Sequence, residues 1–165
     1  MDGITMNELR KHLVELLTVE HAHPGVDSAV KDVPKAIRGV RPNGSPHSLW
    51  ELLEHLRIGQ WDILEFSRDA KHVSPPWPAG YWPKSPAPAS DDEWDKSVNA
   101  FRHDLREMAA LVSDEKNDLF AKIPHGTGQT LLREALLVAD HNAYHLGQLV
   151  TLRQALGAWQ PAALP

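Results

Sequence analysis

The chain has 165 residues and a formal net charge of −5 with histidine neutral; it carries ten histidines, six tryptophans and thirteen prolines but no cysteine. The missing cysteine excludes disulfides, thiolate metal ligands and a cysteine nucleophile, and the acidic balance without a Lys/Arg cluster argues against nucleic acid or an anionic membrane as partner. There is no run of about 18 apolar residues and no signal-peptide pattern, so the expectation is a single soluble domain over residues 1–165, resident in the cytoplasm.

Met6, Leu9, Leu13, Leu16 and Glu20 recur at steps of three and four, with Leu17 beside them. That spacing predicts an amphipathic helix from roughly Thr5 to Glu20, capped by Thr5 or Asn7 and interrupted by Pro24-Gly25. Residues 26–33 read as a short helical segment that Pro34 ends, and residues 38–46, rich in Gly, Pro and Asn, read as a loop. Ser45 or Ser48 opens a second main helix. Ser48-Leu49-Trp50-Glu51 has the capping-box pattern, and Leu49, Leu52, Leu53, Leu56, Ile63 and Leu64 give an apolar face as far as about Arg68. His55 falls on the flank of that face, together with Gly59 and Phe66.

Residues 73–90 hold six prolines with Trp77, Gly80, Tyr81 and Trp82 among them, which forbids a long helix or a central strand. The plain expectation is a loop folded over the bundle; the functional one is a lid or wall over a pocket. Ser90-Asp91-Asp92-Glu93 is a helix start with acidic residues where the dipole favours them. The stripe Trp94, Val98, Phe101, Leu105, Met108, Val112 follows, ending near Ser113. After Pro124, Gly126 and Gly128, a last helix runs from Thr127 or Thr130 to Gly157. No segment reads as a strand and no repeat is visible. The fold class expected is all-α, a four-helix bundle with a long Pro/Trp-rich loop between its second and third helices.

The apolar stripe of the last helix, Leu131, Ala135, Val138, then Leu149, Leu152, Leu156, passes through His141 and His145 when continued at helical steps. Positions i and i+4 share a face, and two imidazoles among core leucines need partners. Hydrogen bonds to buried groups would satisfy them; so would a metal ion. Three imidazoles on a divalent metal leave room for water or substrate. The third is expected from a neighbouring helix, and His55 is the best placed. His12 and His103 lie off the apolar stripes of their helices and read as solvated, and His21, His23, His47, His72 and His125 as surface residues. His-Glu-x-x-His is absent, only Glu20-x-x-His23 fits the Glu-x-x-His pattern of a di-iron bundle and it ends against Pro24, and there is no GxSxG elbow, P-loop or GxGxxG fingerprint.

Leu49-Trp50-Glu51-Leu52-Leu53-Glu54-His55-Leu56, followed far downstream by Asp140-His141-Asn142-Ala143-Tyr144-His145-Leu146-Gly147-Gln148-Leu149, resembles the DinB-like (YfiT-like) superfamily of metal-dependent enzymes, as does the ending Leu156-Gly157-Ala158-Trp159. The resemblance covers nearly the whole chain. It implies one divalent metal ion, nickel or zinc, held by His55, His141 and His145, and for some relatives chemistry on low-molecular-weight thiols such as bacillithiol, mycothiol or glutathione. With no cysteine in the chain, such a thiol would have to arrive as a cosubstrate. Around the ligands, Glu51 is a candidate to hold the other ring nitrogen of His55; Tyr144 and Gln148 flank the pair; Gly147 would let another helix approach; and Trp77, Tyr81 and Trp82 would wall an apolar pocket. The functional expectation is a metal-dependent thiol S-transferase or hydrolase acting on a small molecule through metal-bound water or thiol. The alternatives are a non-catalytic bundle whose metal or ligand site serves stability, stress or sensing, and a homodimer with exposed tryptophans at its interface.

Overall fold

A computed structural model describes residues 3–159 of the chain. Five α-helices follow one another: α1 (Gly3–Thr18), the short α2 (Val26–Val30), α3 (Leu49–Arg68), α4 (Asp91–Ser113) and α5 (Leu131–Ala155), with 3-10 turns at Lys35–Ile37 and Ala79–Tyr81. The four long helices form the bundle. α3 packs on both α4 and α5, and α1 closes the far side against α4 and α5. Among the described residues no strand forms; one isolated bridge joins Lys122 to Thr130 ahead of α5.

Local chemistry sets the helix ends. Ser48 caps α3 in a full capping box: its side chain accepts from the Glu51 amide while the Glu51 side chain accepts from the Ser48 amide, which satisfies two donors that a helix start leaves without partners. Ser90 caps α4 through the Glu93 amide, behind which Asp91, Asp92 and Glu93 occupy the first turn. Thr130 does the same for α5 through the Arg133 amide. At the other end of α5, Gly157 takes a φ of 68°, a left-handed conformation that stops a helix at little cost only in glycine.

The starts of α3 and α4 fall where the capping patterns put them. Three boundaries differ from expectation. α1 begins at Gly3, so Thr5 and Asn7, expected to cap it, lie inside the helix. α1 ends at Thr18, and Glu20 lies beyond it, accepting from the amide and hydroxyl of Ser28. α2 stops at Val30 because Asp32 turns to a φ of 52°, although Val33 is still buried. In α1 the buried side is Leu13 and Leu17, and Leu16 is exposed. Arg10 shares the buried side and donates to the carbonyls of Val112 and Asn117, supplying a donor to one of the orphan carbonyls at the end of α4.

Two apolar clusters fill the interior. One joins Leu49, Leu52, Leu53 and Leu56 of α3 to Phe101 of α4 and Leu146 and Leu149 of α5. The other joins Leu13 and Leu17 of α1 to Leu64, Met108, Val112 and Val138. Both make α3 the axis of the bundle, and the side of α3 turned toward α5 carries His55.

Candidate metal centre

α5 buries Leu131, Ala135, Val138, Asn142, Leu146, Leu149 and Leu152. This corrects the expected seam: its middle runs through Asn142 and Leu146, and His141 and His145 each sit one position earlier, only half-buried at its edge. One residue is about 100° of rotation in a helix, enough to turn both rings out of the leucine core toward α3. His55, expected on the flank of α3, is in fact 6% exposed.

The three rings meet. Nε2 of His55 stands 3.1 Å from Nε2 of His145 and 3.2 Å from Nε2 of His141. Two nitrogens bound at about 2.0–2.1 Å to one tetrahedral ion stand about 3.3 Å apart, close to the spacing found. His55, His141 and His145 form a group that could hold a metal ion, and no other histidine or carboxylate of the described residues joins it.

The donor set fits such an ion. A neutral imidazole has one N–H. His55 spends its own at Nδ1, which donates to the Tyr81 carbonyl at 2.9 Å, and Nδ1 of His145 donates to Oε1 of Gln148 at 2.7 Å. Both Nε2 atoms therefore present bare lone pairs. The rings are also held neutral. Burial pushes the His141 pKa down to about 4, with the positive charges of protonated His145 and His55 adding to the effect, and burial likewise lowers His55 and His145, against the opposing pull of their hydrogen bonds to Tyr81 and Gln148.

Three features position the group. Gly59, one turn beyond His55, leaves the space that the His141 ring fills: a Cβ there would lie 2.8 Å from Cε1 of His141. The loop between α3 and α4 folds over the site and brings Trp82 flat against His55, ring centroids 4.0 Å apart at 5°, while His47 covers the other face of the indole at 3.9 Å. The same loop is pinned at Asp62, which accepts from the Tyr81 hydroxyl at 2.6 Å and from Nε2 of His72 at 2.7 Å. Burial and the Asp62 carboxylate push the Tyr81 pKa up to about 12, so the hydroxyl keeps its proton and the latch holds.

Several expected roles fall elsewhere. Glu51 does not hold His55: it pairs with Arg41 and caps α3. Trp77 is 78% exposed and meets only the edge of Tyr81, so it walls nothing. Tyr81 contributes a backbone carbonyl rather than its ring, and Trp82 is a wedge with an imidazole on each face rather than an open wall. A Cβ on Gly147 would meet nothing within 4 Å; the close approach belongs to Gly59. Gln148 does flank His145, and Tyr144 touches the His145 ring edge-on while 64% exposed. His12 and His103 are exposed. His47 and His72, expected at the surface, are half-buried in the stack and the latch. Gly59 one turn and Asp62 two turns beyond His55 on α3 were the available sequence signals for this surrounding.

A cavity of about 580 Å3 is lined by His47, Leu52, Tyr144, Gln148, Thr151 and Leu152 among others, with no charged side chain in its lining; it reaches Gln148 and Tyr144, the neighbours of His145, while none of the three histidines lines it. A second of similar volume lies against Phe101, Arg102, Leu105, Asn142 and Leu146.

A sequence model described as the DinB superfamily matches residues 19–149, a span that contains all three histidines. The chain belongs to the DinB superfamily. No curated protein and no solved structure matches it. Within this DinB domain the HxxxH pair of α5 and the single histidine of α3 are the residues that converge. No helix of the described residues is long and apolar enough to cross a membrane.

Two outcomes are expected. Gly59→Ala adds helix propensity of about 1 kcal/mol but forces His141 aside, so metal uptake should weaken while thermal stability is kept; unchanged affinity in calorimetric titration would refute the packing role. The metal-free protein should lose stability as pH falls. The folded pKa of His141 lies below its ordinary value, so from about 6.5 down to about 4 the unfolded chain binds more protons than the folded one. Urea midpoints across that range should drop, and His141→Phe should flatten the slope.

Proposed function

We propose that this DinB protein is a divalent-metal-dependent enzyme, a thiol S-transferase or a hydrolase, acting on a small molecule. The observation that carries the reading is the convergence of three imidazole Nε2 atoms with no fourth histidine or carboxylate of the described residues beside them. That leaves coordination positions for water or a thiol, the arrangement that separates catalytic from structural sites. A divalent ion there lowers the pKa of a bound water or thiol and so supplies a nucleophile near neutral pH. Imidazole donors suit nickel and zinc.

The chain's own residues supply the rest. Gln148 and the Tyr81 carbonyl fix the tautomers of His145 and His55. Gln148 also lines the uncharged cavity, so a substrate lodged there lies next to a ligand's partner. The apolar character of the lining favours an uncharged substrate body. His47 lines the same cavity and burial lowers its pKa, so its neutral ring can take a proton from a bound group. The thiol, where one is used, comes from outside, since the chain has no cysteine.

Metal analysis of protein purified without chelators should give about one divalent ion per chain. A panel of thiols against electrophilic substrates, with water as the alternative acceptor, should then reveal turnover that chelation abolishes. His141→Ala should lose both metal and turnover, and His103→Ala neither. Full metal content in His141→Ala, or turnover that survives chelation, would contradict the proposal.

A further inference from the structure

A glycine inside a helix normally answers to the backbone or to packing. Gly147, well within α5, answers to neither. Its φ lies outside the left-handed region taken by Gly44, Gly128 and Gly157, and a Cβ there would meet nothing within 4 Å. Glycine weakens a helix relative to alanine, so the residue costs stability that no contact within the protein explains. Gly147 does line the uncharged cavity beside Gln148. The side chain it lacks is cavity space.

The amide of Gln148 has a fixed sense. Its Oε1 accepts from Nδ1 of His145 at 2.7 Å, so the NH2 is turned away from that ring. Nε2 has no partner among the described residues, and it is not one of the buried atoms left without one. Its two N–H groups are therefore open to a ligand. Two other polar groups of the lining are already committed: the Ser45 hydroxyl donates to the His47 carbonyl at 2.7 Å, and the Thr151 hydroxyl to the Gly147 carbonyl at 2.8 Å. The cavity thus combines apolar surface from Leu52 and Leu152 with an available donor and no charge. An ionic group would lose its water there without gaining a counter-ion. An uncharged group with an acceptor oxygen would exchange one donor for another.

We propose that this cavity takes an uncharged carbonyl compound (a ketone, ester or amide) whose oxygen accepts from Nε2 of Gln148 and whose apolar body occupies the space that Gly147 leaves open. Gln148 then has two roles: its oxygen fixes the His145 tautomer and its nitrogen orients the substrate. A donor on the carbonyl oxygen stabilises the negative charge that develops there when water or a thiol attacks the carbon. The inference rests on the reading of this cavity as the substrate site of a metal-dependent enzyme.

Binding is read in zinc-loaded and metal-free protein alike, which separates the inference from the metal reading. Acetophenone and isopropenylbenzene have nearly the same shape, but only the ketone carries an acceptor. In titrations followed by 15N–1H spectra, acetophenone should bind roughly 5–10-fold tighter, the worth of one neutral hydrogen bond, and should move the Gln148 side-chain NH2 signals. Gln148→Glu, which keeps an oxygen for His145 and loses the donor, should remove the preference. Gly147→Leu projects into open space, so it should fold, take up zinc and lose affinity for both probes. Equal or weaker binding of the ketone to the wild type, or binding that leaves the Gln148 NH2 signals in place, overturns the proposal, and neither readout needs a variant. Undiminished binding to Gly147→Leu overturns the placement of the apolar body. A wild type that takes up no zinc yet prefers the ketone sinks the enzyme reading and supports the carbonyl site; one that takes up zinc without that preference keeps the metal centre and sinks the carbonyl site.

Discussion

Three converging imidazole nitrogens, with those of His141 and His145 both within hydrogen-bonding distance of Nε2 of His55, cannot all satisfy each other, and the rest of the site follows from that constraint. Three neutral rings carry three N–H groups. The Tyr81 carbonyl takes one and Gln148 another, so the centre has one proton at most for three nitrogens. Protonating further rings is opposed by burial and by the repulsion of like charges, the causes that lower all three pKa values. A divalent cation resolves the conflict in one step, because it accepts three lone pairs and needs no proton. An arrangement that is unfavourable as a hydrogen-bond network is favourable as a ligand set.

Holding the rings together falls to elements with no metal chemistry of their own. The capping box at Ser48 fixes where α3 begins, two turns before His55. Gly59 removes the one Cβ that would block His141. Trp82 presses on His55 from outside, and Asp62 ties down the loop that carries Trp82 and the Tyr81 carbonyl. The loop is more than a cover: its backbone carbonyl at Tyr81 selects the tautomer that points the His55 lone pair inward.

Much of this was legible in the residues. The boundaries of α3 and α4 follow from Ser-x-x-Glu patterns whose physics is local, and the two histidines four apart on α5 with a third on α3 follow from helical periodicity and the superfamily motif. The seam of α5 was misplaced by one position. Ala, Leu and Val crowd both sides of that helix, so its polarity pattern alone does not fix its rotation; the choice is made by Asn142, which is buried because Gln60 pairs with it across 82 positions of sequence. The same non-locality hid the stack of His47 on Trp82 and the latch from His72 to Asp62. It also misassigned Glu51, which lies one turn from His55 but finds a stronger partner in Arg41.

The central claim is that these three Nε2 atoms make one metal centre with positions left for small ligands. X-ray absorption on the nickel- or zinc-loaded protein tests it most directly. The account predicts three imidazole nitrogens at about 2.0–2.1 Å, completed by light-atom ligands that an added thiol or anion replaces. Fewer than three imidazoles in the wild type, or a coordination sphere closed by a fourth protein side chain and indifferent to added ligand, would contradict it.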